Sequence, residues 1–273
     1  MPIPPSLLRE LHPMSIVQPS PPPSGVHIAI LCGGQPPLFK RYAYHLASKP
    51  CYARTQRYSF LLDASTQIPK DKAGLPPQWV KVHMLLKWLP YFDWLFWTDL
   101  DATIFAPETR VEKFLAMQPT AHLIVPQDSM KRLVFSNDAF IVRGSSWGAT
   151  FLEQWWQHRA SCPNAHADQG AMWMAIIDML PHPDPSLASV APPPVNSTEC
   201  SRLCPAKAER EALYACVDAQ FRRLRSPGGP VLFTPVDFDK GSSGLCLNGY
   251  QNDHTRYTAL QHRMPFCLHS KHP

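Results

Sequence analysis

No part of the chain restricts its fold more than residues 94–105, in which Trp94, Leu95, Phe96, Trp97 and Thr98 lead straight into Asp99, Leu100 and Asp101. Aromatic and β-branched residues in an unbroken run read as a buried strand. Two carboxylates at the exit of such a strand need a cation or strong donors to remain ionised. Side chains two apart on a strand share a face, so Asp99 and Asp101 are expected to converge while Leu100 turns back into the core. Hard oxygen ligands suit Mn²⁺ or Mg²⁺, and a divalent ion carrying a diphosphate meets the need. An ordinary Asp-bearing turn is the plain alternative.

The flanking pattern sets this strand in an α/β fold with a mixed, mostly parallel central sheet. Residues 26–31 (VHIAIL) form a first apolar strand that opens onto Cys32, Gly33 and Gly34, a turn through which a ligand can approach the backbone. Residues 38–46 read as a helix and 58–63 (YSFLLD) as a second strand. Trp79, Val82, Met84, Leu85, Leu86 and Leu89 make a helical stripe that stops at Pro90. Strand, helix, strand, helix, strand implies parallel pairing through right-handed crossovers, with ligands at the carboxyl ends of the strands. Further on, a short helix is expected at 111–117, strands at 122–125 and 139–143, a helix around Phe151 to Trp156, another at 169–180, and a strand near 231–233. Trp147, Trp155, Trp156 and Trp173 read as core rather than as a sugar-stacking platform.

Composition describes a globular protein: 273 residues, 45% hydrophobic, 17% charged, and a net charge of +5 with no basic run that argues for nucleic acid. Thirty-one prolines concentrate at 2–23, 76–77, 181–194 and 227–235 and mark long irregular connections. Residues 1–24 read as a stem or linker without structure of its own, and 25–273 as one domain with a cysteine-bearing insert near 195–225. The eight cysteines lack paired C-x-x-C knuckles, which favours disulfides over zinc. Asn196, Ser197 and Thr198 form a glycosylation sequon beside them. Both features favour an oxidising, lumenal compartment, with reduced thiols beside a chance sequon as the other reading. No stretch is apolar enough to span a membrane, and a signal peptide is not apparent.

The order of these motifs resembles a nucleotide-sugar glycosyltransferase of GT-A fold, most of all glycosyltransferase family 34, which includes galactosyl- and xylosyltransferases. Trp79, Val80, Lys81 and then Trp94 to Asp101 are similar to that family's W-x-K helix and W-x-D-x-D strand. Ser136, Asn137, Asp138, Ala139, Phe140, Ile141, Val142 and Arg143, followed by Trp147, resemble its N-x-G-x-F-x-x-R segment, with Ala139 in place of glycine. Asp168 and Gln169 are similar to its D-Q pair near the donor sugar. His269, after Pro265, Phe266, Cys267 and Leu268, matches a C-terminal histidine that completes the metal site. Family members continue through a glycine to a phosphate-binding lysine, where this sequence ends in Ser270, Lys271, His272 and Pro273.

The resemblance implies a Mn²⁺- or Mg²⁺-dependent transferase that moves galactose or xylose from a UDP-sugar to a glycan or glycoprotein acceptor, with retention. Asp101 and His269 are its expected direct metal ligands, and Asp99 binds the metal through water or the ribose. Gly33, Arg41, Tyr42, Lys81 and Lys271 are expected around the nucleotide, with helix-surface charge and packing the plain reading of Arg41, Tyr42 and Lys81. Asp168 and Gln169 face the anomeric carbon and the acceptor, and Asn137 is a candidate to hydrogen-bond sugar hydroxyls; a helix N-cap is the plain reading of Asp168, and a cap at the entrance of the following strand that of Asn137. A type II membrane anchor outside this sequence, a Golgi location and a homodimer complete the expectation. A catalytically silent GT-A domain acting as a glycan-binding or assembly subunit is the alternative. A two-metal phosphoesterase fits less well, since no second metal set lies near Asp99.

Overall fold

The computed structural model describes residues 16–17, 25–64, 77–104, 106–126, 132–162, 167–181, 197–204, 209–234 and 246–247. Their centre is a seven-stranded sheet in the spatial order β1 (Ile16–Val17), β3 (Ser59–Asp63), β2 (Ile28–Gly33), β4 (Trp94–Thr98), β7 (Ala139–Arg143), β6 (Leu123–Pro126) and β8 (Val231–Thr234). β2 pairs in parallel with both β3 and β4, with Ala29 opposite Ser59 on one side and Leu95 on the other. β7 is antiparallel to β4 and β6, β1 is antiparallel to β3, and the remaining strands share one direction.

The chain leaves β2 through α1 (Pro36–Arg41) and α2 (Ala43–Gln56) to reach β3 on one side of it. It then returns through α3 (Val80–Trp88) to β4 on the other side. Right-handed crossovers in opposite directions put α2 and α3 on opposite faces of the sheet. The core divides accordingly. Leu95, Trp97, Phe140 and Val142 pack with Val82, Met84 and Leu85 of α3 and with residues of α5 (Ser146–Gln157), α6 (Ala167–Met179) and α8 (Arg210–Leu224). Trp94, Phe96, Ile141 and Ile30 pack with Leu46 and Tyr52 of α2 and Phe114 of α4 (Val111–Met117). All five residues of β4 are buried, as a central strand covered on both faces requires. The connections leave β2 in opposite directions, so the carboxyl ends of β2 and β4 mark the switch point at which ligands bind in sheets of this kind.

The expected elements recur, with three differences. The helix expected at 38–46 is two helices, and α2 runs on through Pro50 to Gln56, where Arg57 closes it in a left-handed conformation (φ 62°). An interior proline costs a helix about 3 kcal/mol. Tertiary hydrogen bonds along α2, described below, offset that cost. Within the stretch read as a stem, Ile16–Val17 add an edge strand to the sheet. Finally, Thr103–Ile104 (β5) pair antiparallel with Cys246–Leu247 (β9), so a late segment of the chain lies beside the strand that follows the acids.

The cysteine-bearing insert is helical, α7 (Ser197–Ser201) and α8, and is tied by Cys200–Cys216 internally and by Cys162–Cys204 to the loop before α6. Cys51 is disulfide-bonded as well, while Cys32 is a buried free thiol pushed up to about 12 by desolvation.

Candidate active site at the carboxyl end of β4

The strand stops one residue before the acids. Asp99 accepts a hydrogen bond at its carbonyl from the Ala102 N–H (3.1 Å), so Leu100 and Asp101 are the central residues of a tight turn. The expectation that Asp99 and Asp101 converge by strand alternation is therefore corrected. A turn sets their directions, because buried Leu100 must point inward. It packs so closely on Gly34 that a Cβ there would lie 2.9 Å from Leu100 Cδ1. A Cβ at Gly33 would meet the Asp63 carbonyl and the Met84 sulfur, each at 2.4 Å. The glycine pair thus serves close packing of β2 against its neighbours.

Lys81 organises the acids. Its ammonium, on a side chain only 6% exposed, lies 2.9 Å from Asp99 Oδ1 and 3.2 Å from Asp168 Oδ2, and donates to the Asn137 carbonyl at 3.2 Å. Asn137 Nδ2 donates to Asp168 Oδ2 (2.7 Å), and Trp97 Nε1 donates to Asp99 Oδ1 (2.6 Å). The Asp99 N–H donates to the Asp138 carbonyl (2.7 Å), which fastens β4 to the entrance of β7. Trp155 Nε1 donates to the Asp168 carbonyl (2.6 Å) and anchors the start of α6 from within the core. Asp168 lies within the first turn of α6, where the helix dipole favours a negative charge, rather than at its N-cap. Ser136 Oγ reaches Gln169 Oε1 at 3.4 Å.

Electrostatics follow from this packing. Burial works against the charge on Lys81, but Asp99, Asp168 and Asp138 outweigh it and raise its pKa above the ordinary lysine value. Asp138 is the converse case. Its carboxyl is raised to about 7, by desolvation first and then by the neighbouring Asp99. The site thus gathers more carboxylate than Lys81 can neutralise. Among the described residues Asp101, half-buried, has no hydrogen-bond or ion-pair partner.

The structure therefore brings Lys81, Asp99, Asn137, Asp168 and Gln169 together, with Asp101 at the turn beside them. The three ammonium donors of Lys81 are matched by Asp99, Asp168 and Asn137. In this structure it is a counter-ion to two buried carboxylates. Arg41 and Tyr42 sit at the junction of α1 and α2, with the guanidinium 5.3 Å from the Tyr42 ring. No described contact links them to the acids. His269 and Lys271 lie outside the described residues. Two further residues belong to the site. Asp138 stood unassigned inside a quoted motif, and Lys49 carried no sequence signal, since a buried lysine in a helix reads like a surface one.

A divalent cation fits the donor set: hard carboxylate oxygens in excess over the Lys81 ammonium, with the Asp138 carboxyl raised by burial and by the neighbouring Asp99. Among the described residues no three His, Cys, Asp or Glu side chains form a cluster able to hold an ion alone.

Comparison with known proteins gives three findings. No curated protein matches the sequence. The structure is similar to that of a glycosyltransferase involved in the glycosylation of the major capsid of PBCV-1, at 12% identity and a TM-score of 0.48, over 86% of this chain and 98% of that one. A likeness at this level is silent on chemistry. Residues 49–190, just over half of the chain, match DUF273, a family of proteins of unknown function, and the chain belongs to that family.

Proposed function

We propose that the protein is a metal-dependent glycosyltransferase that moves galactose or xylose from a UDP-sugar to a glycan or glycoprotein, with retention. One observation carries this reading. Four segments singled out for their resemblance to sugar transferases, around Lys81, Asp99, Asn137 and Asp168, lie far apart in sequence yet meet on one buried ammonium. A chance likeness gives no reason for them to meet.

Asp101, with the second oxygen of Asp99, would hold Mn²⁺ or Mg²⁺, joined by His269. Such an ion supplies Lewis acidity to a departing diphosphate. The chain's own groups do the rest. Lys81 and Trp97 fix Asp99, so its orientation needs no reorganisation when charge develops. Asn137 and Lys81 likewise fix Asp168, a carboxylate suited to stabilise positive charge at an anomeric carbon. Gln169, half-buried beside it, presents an amide to orient a hydroxyl. The disulfides support a lumenal or secreted setting, for which we propose the Golgi. No helix among the described residues is long and apolar enough to cross a membrane.

Asp101→Asn is expected to abolish Mn²⁺-dependent release of UDP from a UDP-sugar panel while leaving the thermal midpoint within a few degrees of wild type. A variant that stays active without metal overturns the reading. One observation favours a second reading. Asp99 already has internal partners in Lys81 and Trp97, which suits a silent glycan-binding domain. Calorimetry that detects glycan binding but no binding of UDP with Mn²⁺ would select it.

A further inference from the structure

Helix α2 buries polar residues on the face it turns to the sheet. Ser48 and Lys49 are completely buried and Gln56 is 8% exposed. His45, Ser48, Lys49, Tyr52 and Gln56 follow the spacing i, i+3, i+4, i+7, i+11, which is one helical face. Each engages the irregular segment that begins at the acidic turn. Lys49 Nζ donates to the Ala102 carbonyl at 2.6 Å, the Leu100 carbonyl at 3.4 Å and its own helix at the His45 carbonyl, 3.2 Å. His45 Nδ1 lies 2.7 Å from Thr103 Oγ1, and Ser48 Oγ accepts the Ile104 N–H at 3.1 Å. Tyr52 donates to the Thr109 carbonyl (2.6 Å) and Gln56 to the Pro107 carbonyl (2.5 Å). Backbone outside regular secondary structure must find partners when buried, and this face of α2 supplies them.

From this geometry we infer that α2 is a positioning element for the candidate site and that Lys49 is the residue that sets the acidic turn. Its ammonium draws the carbonyls of Leu100 and Ala102 inward on either side of Asp101. The Leu100–Asp101 and Ala102–Thr103 peptides are thereby fixed, and the peptide between them, whose Ala102 N–H the Asp99 carbonyl holds, is locked with them, which sets the direction of the Asp101 side chain. A buried ammonium is costly without strong acceptors, so the arrangement is specific. Any apolar residue packs α2, but only a charged donor fixes these carbonyls. The assignment of Lys49 to the turn rests on the coordinates, while its consequence for a cation rests on the function proposed above.

Two measurements on the full chain test it. In metal-free protein, Lys49→Met is expected to speed amide hydrogen exchange at Ala102 and Ile104 at least tenfold while leaving Leu95 to Trp97 unchanged. Unchanged exchange at Ala102 overturns the inference. In titrations with Mn²⁺ alone, Lys49→Met is expected to weaken binding at least tenfold, whereas Tyr52→Phe and Gln56→Leu, farther along the same face, leave it within twofold of wild type. Equal affinity in Lys49→Met, or equal losses in all three variants, overturns the inference. If wild type binds no Mn²⁺, the proposed function fails while the exchange result still decides the role of Lys49. Lys49→Gln, which keeps one donor site, carries the same comparison should Lys49→Met not fold.

Discussion

Lys81 is the side chain whose loss the site tolerates least. Its partners Asp99 and Asp168 are 26% and 8% exposed, so deleting the ammonium leaves carboxylates in a poorly solvated place without a counter-charge. Lys81→Met is expected to destabilise the fold by about 3–5 kcal/mol, measured by denaturant unfolding. Asp138 works in the opposite direction. Its carboxyl is raised from 3.8 to about 7 in the folded protein, so the folded state binds more protons than the unfolded chain between those values. The contribution is fully present below about pH 4 and is lost as pH rises through about 7. In metal-free buffer Asp138→Asn is therefore expected to gain stability over wild type as pH goes from 4 to 8, by up to about 4 kcal/mol. A difference that stays flat across that range would show that the carboxyl titrates normally.

At the scale of elements, α6 joins the site to the oxidised part of the molecule. Its first turn carries Asp168 and Gln169, and a Cβ built on Gly170 would lie 2.6 Å from Cys162 Sγ and 2.8 Å from Cys204 Sγ. The disulfide thus rests directly against the turn that presents Asp168. Gly170→Ala is expected to cost about 1–3 kcal/mol through overpacking against the bridge. The penalty should shrink when Cys162 and Cys204 are both replaced by Ser, because the two smaller, unbonded hydroxyls can move apart; a double-mutant cycle in thermal unfolding measures it. Helix α5 supports the same turn through the Trp155 hydrogen bond to the Asp168 carbonyl. Its own start is fixed by Ser145, whose hydroxyl accepts the Gly148 N–H as an N-cap.

At the scale of the whole molecule, the pairing of β5 with β9 sets Cys246–Leu247 beside the strand that follows Asp101. Chain distant in sequence is thereby brought beside the residues that follow the acidic turn. His269→Ala is expected to weaken Mn²⁺ binding about tenfold or more, with little change in thermal midpoint. Unaltered binding would remove His269 from the metal site and leave the acids as its protein donors.

Much of the architecture was legible in the sequence because each buried element carries its period openly. The run Trp94–Thr98 is apolar on both faces, Val111–Met117 and Ala139–Arg143 fall at their expected positions, and the stripe from Trp79 to Leu89 is helical. Motif order also pointed to Lys81, Asp99, Asn137 and Asp168 as residues of one site. Their roles were not legible. Whether Lys81 meets a phosphate or two carboxylates, whether the acids lie on a strand or a turn, and why α2 passes through Pro50 depend on partners 18 to 87 positions away, such as Asp99 and Asp168 for Lys81 and Ala102 for Lys49. Local periodicity is set by backbone sterics and the burial of single faces, so it is written residue by residue. The pairing of a buried charge is settled only when the sheet brings remote segments into one low-dielectric space, and that the tertiary structure alone decides.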